Sequence, residues 1–150
     1  MSFERLVREN LVKKQQPDFN QIASQLRRAQ KDLKTAKSVL AADPIWAFAI
    51  SYHAMLRAGR ALMFSKGCLP TANQSHKTIV EFTKDVLGAD FANVVSRFSR
   101  MRRQRHNFIY DSQNHITISE AKAAIETAEK LVDRIIGLVK KDNPQKELFS

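Results

Sequence analysis

Five arginines, Arg97, Arg100, Arg102, Arg103 and Arg105, fall within nine residues, and no carboxylate lies between Asp90 and Asp111. A guanidinium is planar, stays charged and offers paired donors that match two phosphate oxygens. The run therefore reads as a phosphate-facing surface, with a solvated or dimer-pairing face as the equal alternative. His106, Asn107 and Tyr110 follow at once. On a helix, Arg102, His106 and Tyr110 succeed one another at i, i+4 steps along one side. An imidazole exchanges protons near neutral pH, a phenol donates, and an amide can fix a ring or touch a base. The chemistry within reach is phosphate recognition with proton transfer beside it.

The element carrying these residues is predicted to be a helix starting at Asp90, with Phe91, Val94, Val95, Phe98 and Met101 as its apolar stripe. Continued at 100° per residue, that stripe meets Arg102, Arg105 and Ile109. Two arginines thus interrupt a buried face. Unpaired arginines are not tolerated in a dry core, so this end of the helix should face an acidic partner, a second subunit or a ligand.

The remaining elements are helical too. A first helix is predicted from Phe3 to about Lys13, and Pro17 interrupts it. Asp18 caps a second, running to about Ala41 with Ile22, Leu26, Ala29, Leu33 and Ala36 inward. Asp43-Pro44 opens a third, because the Asp oxygen accepts first-turn amides and Pro has no amide to leave orphaned. That helix is apolar nearly all round from Ile45 to Leu56, which places it at the centre and Trp46 in the core, and it ends near Lys66 before Gly67. Its polar strip, His53, Arg57 and Arg60, reads either as the far wall of the same cleft or, more simply, as a solvent-facing line. Cys68 to Asn73 reads as a loop, with no base near the thiol to activate it. Ser75 starts a fourth helix that Gly88 stops, and His76 with Lys77 reads as a helix-start feature. Thr117 with Glu120 offers a capping box, or Ser119 caps instead, for a last helix to about Lys140.

The sum is an all-α, up-and-down bundle of five to six helices. Residues 1–150 read as one domain, with an N-terminal helix inside 1–16 and a frayed tail over 142–150. A chain of 150 residues can bury about two-thirds of its unfolded surface without staples. Its single Cys excludes an internal disulfide, and no Cys and His pairs carry zinc-ligand spacing, so a reducing cytoplasm fits. The longest uncharged apolar stretch, Pro44 to Leu56, is short of the roughly 20 residues a membrane span needs, and MSFERLVREN has no signal-peptide core. No Gly-rich phosphate loop, metal-binding carboxylate pair or nucleophilic triad stands out, so neither a metal nor a cofactor is expected. The net charge of +10 favours a polyanion as partner, nucleic acid first.

The segment M-R-R-Q-R-H-N-F-I-Y-D, Met101 to Asp111, resembles the signature of the HEPN (higher eukaryotes and prokaryotes nucleotide-binding) superfamily. So does S-Y-H-A-M-L-R-A-G-R-A-L-M-F-S-K-G, Ser51 to Gly67, followed by S-H-K at Ser75 to Lys77. The resemblance implies a helical bundle that forms a homodimer, commonly beside a minimal nucleotidyltransferase acting as antitoxin. It further implies a metal-independent endoribonuclease toxin, with Arg105, His106 and Tyr110 on the motif positions and Tyr110 where a His usually stands. Arg102, Asn107, Arg100, Arg103 and Arg57 would then contact RNA or nucleotide. The other reading is a non-catalytic nucleotide-binding or partner-binding subunit of a nucleotidyltransferase complex. Cleavage without a metal is chemically accessible: the ribose 2′-hydroxyl attacks phosphorus when a base takes its proton, a cation stabilises the phosphorane and an acid protonates the leaving oxygen.

Overall fold

Helix boundaries fall where the chain supplies caps. The computed structural model describes residues 2–110 and 115–143, with backbone alone at 2, 3 and 108–110. Asp18 accepts from the amides of Asn20 and Gln21 at 3.1 and 3.2 Å and starts α2 (Phe19–Val39). Asp43 accepts from Trp46 N at 3.0 Å and, with Pro44 in the first position, starts α3 (Pro44–Ser65). Thr117 and Glu120 form the expected capping box at α6 (Ile118–Asp142): Glu120 N donates to Thr117 Oγ1 at 3.0 Å. Ser119 is not the cap. Gly88, at φ 70°, ends α4 (Ser75–Leu87) in a conformation that a side chain disfavours. A short 3-10 turn, Ala89–Phe91, then leads into α5 (Ala92–Tyr110), so the helix proper begins two residues after the expected Asp90.

With α1 (Ser2–Arg8) there are six α-helices among the described residues, arranged as an all-α bundle. Most of α3 is buried, and it touches α2, α4, α5 and α6, so the most apolar segment does occupy the centre. Tyr52, Met55, Leu62 and Met63 are fully enclosed, as are Ile22, Leu26, Leu131 and Ile135 from the helices around it. Each such side chain contributes about 1.5–3 kcal/mol by leaving water. Ion pairs bind the outer edges: Lys37 to Glu129 at 2.7 Å joins α2 to α6, and Lys66 to Asp142 at 2.8 Å joins the end of α3 to the end of α6. No helix among the described residues is long and apolar enough to cross a membrane.

Three expectations fail. The first helix stops at Arg8 and not near Lys13: Asn10 adopts φ 58°, and Val12–Lys14 becomes strand β1. Its partner β2, Cys68–Pro70, lies in the segment read as a loop; the two pair antiparallel with Val12 opposite Pro70 and Lys14 opposite Cys68. Strands of three residues are too short to show alternation, and Pro70 is tolerated because a two-stranded ribbon is all edge. Trp46 is 54 % exposed, since the Asp43 cap puts it in the first turn, before α3 enters the core at Ala47. The Asp111 turn and the 144–150 part of the tail lie outside the described residues.

Candidate functional site

The apolar stripe of α5 behaves as its periodicity requires. Val95, Phe98 and Met101 are buried, and one turn later Arg102 and Arg105 are half-buried where the stripe would continue. What receives them is α3. The Arg105 guanidinium carbon sits 5.7 Å from the centre of the Tyr52 ring, a distance at which the ring's negative face attracts a cation. Tyr52 is fully buried and also packs on Phe98, with ring centres 6.0 Å apart.

Two imidazoles flank that ring. His76, in the first turn of α4, lies with its ring centre 5.8 Å from that of Tyr52, and its Nδ1 is 3.1 Å from the Tyr52 hydroxyl oxygen. His53, next along α3, has its ring centre 6.1 Å away on an edge contact. Burial and then the Arg105 charge hold both imidazoles below their ordinary value near 6.5; Arg57 adds to this at His53 against the opposing pull of Asp32, and His53 and Arg102 add to it at His76. Burial pushes the Tyr52 phenol up to about 12, although Arg105 and Arg102 pull the other way. A neutral His76 whose Nδ1 accepts from this hydroxyl carries its proton on Nε2.

From His53 and His76 an open groove of about 1120 Å3 runs between α3 and the segment leading into α2. Arg57 and Arg60 line it. The Nη1 of Arg57 donates to Gln25 Oε1 at 2.7 Å, and its Nε, shielded from solvent, lies 3.4 Å from Asp32 Oδ2 without an aligned hydrogen bond. The His53, Arg57 and Arg60 strip faces solvent, with His53 and Arg60 exposed, and it does so as one wall of this open groove. His76, likewise read as a helix-start feature, is a wall of the same groove. The polar strip on an otherwise apolar helix was the signal that could have located it.

The other arginines point elsewhere. Arg97, Arg100 and Arg103 are exposed, with Arg103 Nη1 donating to Ser99 Oγ at 3.0 Å. His106 and Asn107 are exposed on α5. Tyr110 ends α5, and its side chain lies outside the described residues. Cys68 is buried with its thiol pushed up to about 11, which keeps it protonated and unreactive. Among the described residues no three His, Cys, Asp or Glu side chains gather around a common point.

The two depressed imidazoles make stability depend on acid. Unfolded, they take up protons near pH 6.5; folded, they resist until lower pH. Below that value the unfolded chain binds more protons, so stability falls as pH falls from about 7 towards 5. Thermal melts across that window should show a declining midpoint, and the slope should flatten in a His53→Asn, His76→Asn variant. A midpoint that rises on acidification would contradict the assignment.

A family model described as HEPN domain matches residues 22–140. Neither a curated protein nor a solved structure matches the chain. The matched stretch runs from the first core residue of α2 almost to the end of α6 and holds every residue of the Tyr52 cluster. The chain belongs to the HEPN domain family, which supports a place among nucleotide-binding or ribonuclease-like proteins.

Proposed function

We propose that this protein is an RNA-binding, metal-independent endoribonuclease, the toxin half of a pair with a minimal nucleotidyltransferase. The observation that carries the reading is the convergence of Arg105 and Arg102 on a buried tyrosine between two depressed imidazoles. Arg105, held by Tyr52, offers its fork to a scissile phosphate, and Arg102 adds positive charge beside it. His53 is the candidate base for the ribose 2′-hydroxyl, because the lone pair of neutral His76 is taken by the Tyr52 hydroxyl. His106 and Tyr110, one and five residues beyond Arg105, are the candidate acids for the departing 5′-oxygen. The 2′-oxygen forms a bond to phosphorus as the 5′-oxygen leaves with the acid's proton, giving a 2′,3′-cyclic phosphate and a 5′-hydroxyl. A two-fold homodimer would bring a second α5 to the same cleft, with Arg102 and Arg105 of each copy lining it.

The test is cleavage of RNA with chelator present, comparing the unaltered protein with a paired Arg105→Ala, His106→Ala variant. Cleavage is expected from the first and not from the second. Equal rates would overturn the assignment. RNA bound but left intact by the unaltered protein would favour a non-catalytic nucleotide-binding or partner-binding subunit.

A further inference from the structure

We propose that the groove between α3 and the segment leading into α2 is a track for single-stranded RNA, carrying the strand away from the Arg105 cluster with Arg57 and Arg60 on its phosphates. The inference rests on RNA being the ligand of that cluster. At about 1120 Å3 the groove exceeds the roughly 300–1,000 Å3 of ordinary small-molecule sites. One of its walls is a single stripe of α3, formed by His53, Arg57, Arg60 and Phe64. Those eleven residue steps span about 16 Å at the helical rise, more than one nucleotide requires.

The wall chemistry suits a strand of nucleotides. Arg60 is exposed and makes no ion pair among the described residues. Asp18, the groove's one carboxylate among the described residues, is engaged in capping α2. Gln16, Asn20 and Gln21 also line the groove, and their amides both donate and accept, as base edges demand. Phe19 and Phe64 also line the groove; both pack against the core and are half-buried, so each adds partly open aromatic surface of the kind that bases contact. An acidic peptide would find Arg60 and an Arg57 already shared with Asp32, and little use for the amides and rings. Continuity with the cluster is built in, because His53 and His76 belong to both.

Fluorescence anisotropy with a labelled 2′-O-methyl oligonucleotide of about eight nucleotides tests this, since that RNA has no free 2′-hydroxyl and cannot be cleaved by the proposed route. Arg60→Glu is expected to weaken binding about tenfold and to lower the salt slope, with circular dichroism unchanged because Arg60 is exposed. Lys34→Glu, an equal charge change on the outer side of α2, should alter affinity less than about twofold. Equal weakening by both variants, or an acidic peptide of the same length binding as tightly, would overturn the track. If the unaltered protein binds no RNA, the ribonuclease reading and the track fall together. If Arg60→Glu weakens binding while unmodified RNA stays intact, the cleavage reading falls and the track stands.

Discussion

Arg105→Ala is expected to slow RNA cleavage by about a hundred- to a thousandfold, the usual effect of removing one preorganised donor from a developing oxyanion. The structure makes this residue hard to replace. Its guanidinium is positioned by the Tyr52 ring at 5.7 Å, on a helix whose preceding turns are anchored by Phe98 and Met101. Little reorganisation is then needed when a phosphate arrives. Its charge is also the largest single charge lowering both His53 and His76. The same substitution should therefore raise both imidazoles towards their ordinary value, which a proton NMR titration reads directly. Stability should change by only about 0.5–1 kcal/mol, the worth of a solvent-accessible cation against an aromatic ring. Arg105→Lys keeps the charge but not the fork, and should fall between the two. Full activity in Arg105→Ala with unmoved imidazoles would remove this residue from the site.

Gly59→Ala should cost about 1–3 kcal/mol, an effect opposite in sign to the roughly 1 kcal/mol that Ala normally adds inside a helix. A Cβ at position 59 would stand 2.5 Å from Ile79 Cγ2 and 3.0 Å from Thr83 Oγ1, both on α4. Ile79 is β-branched and buried, so it cannot swing aside cheaply. The helices must separate instead, and α4 carries His76. Chemical denaturation should thus show a loss of stability accompanied by a change in the His76 environment. In an Ile79→Ala background the same substitution should cost less, because the clashing methyl is gone; undiminished cost there would mean that the close approach is not the cause.

Features set by neighbours in the chain were readable from it, and features set by how helices meet were not. Asp18, Asp43-Pro44, Gly67, Gly88 and the Thr117 with Glu120 box act through neighbours a few residues away, so five of the helix boundaries were legible. The interrupted stripe of α5 was legible for the same reason: one helix period relates Phe98 and Met101 to Arg102 and Arg105. The β1 and β2 ribbon was not, because pairing Val12 with Pro70 depends on residues far apart in sequence. Neither was the meeting of Tyr52, His53 and His76 with Arg105, which depends on how α3, α4 and α5 cross. Each imidazole taken alone resembled a surface or helix-start residue. The role of Trp46 was misread because hydrophobicity says nothing of where along a helix the core begins.

The ends left on cleaved RNA test the account most directly. Mass spectrometry of a short RNA incubated with the protein and excess chelator should find 2′,3′-cyclic phosphate on one fragment and a 5′-hydroxyl on the other, as attack by the neighbouring 2′-hydroxyl requires. Intact RNA, or fragments ending in 3′-hydroxyl and 5′-phosphate, would contradict a cluster that works by arginine and imidazole on that hydroxyl.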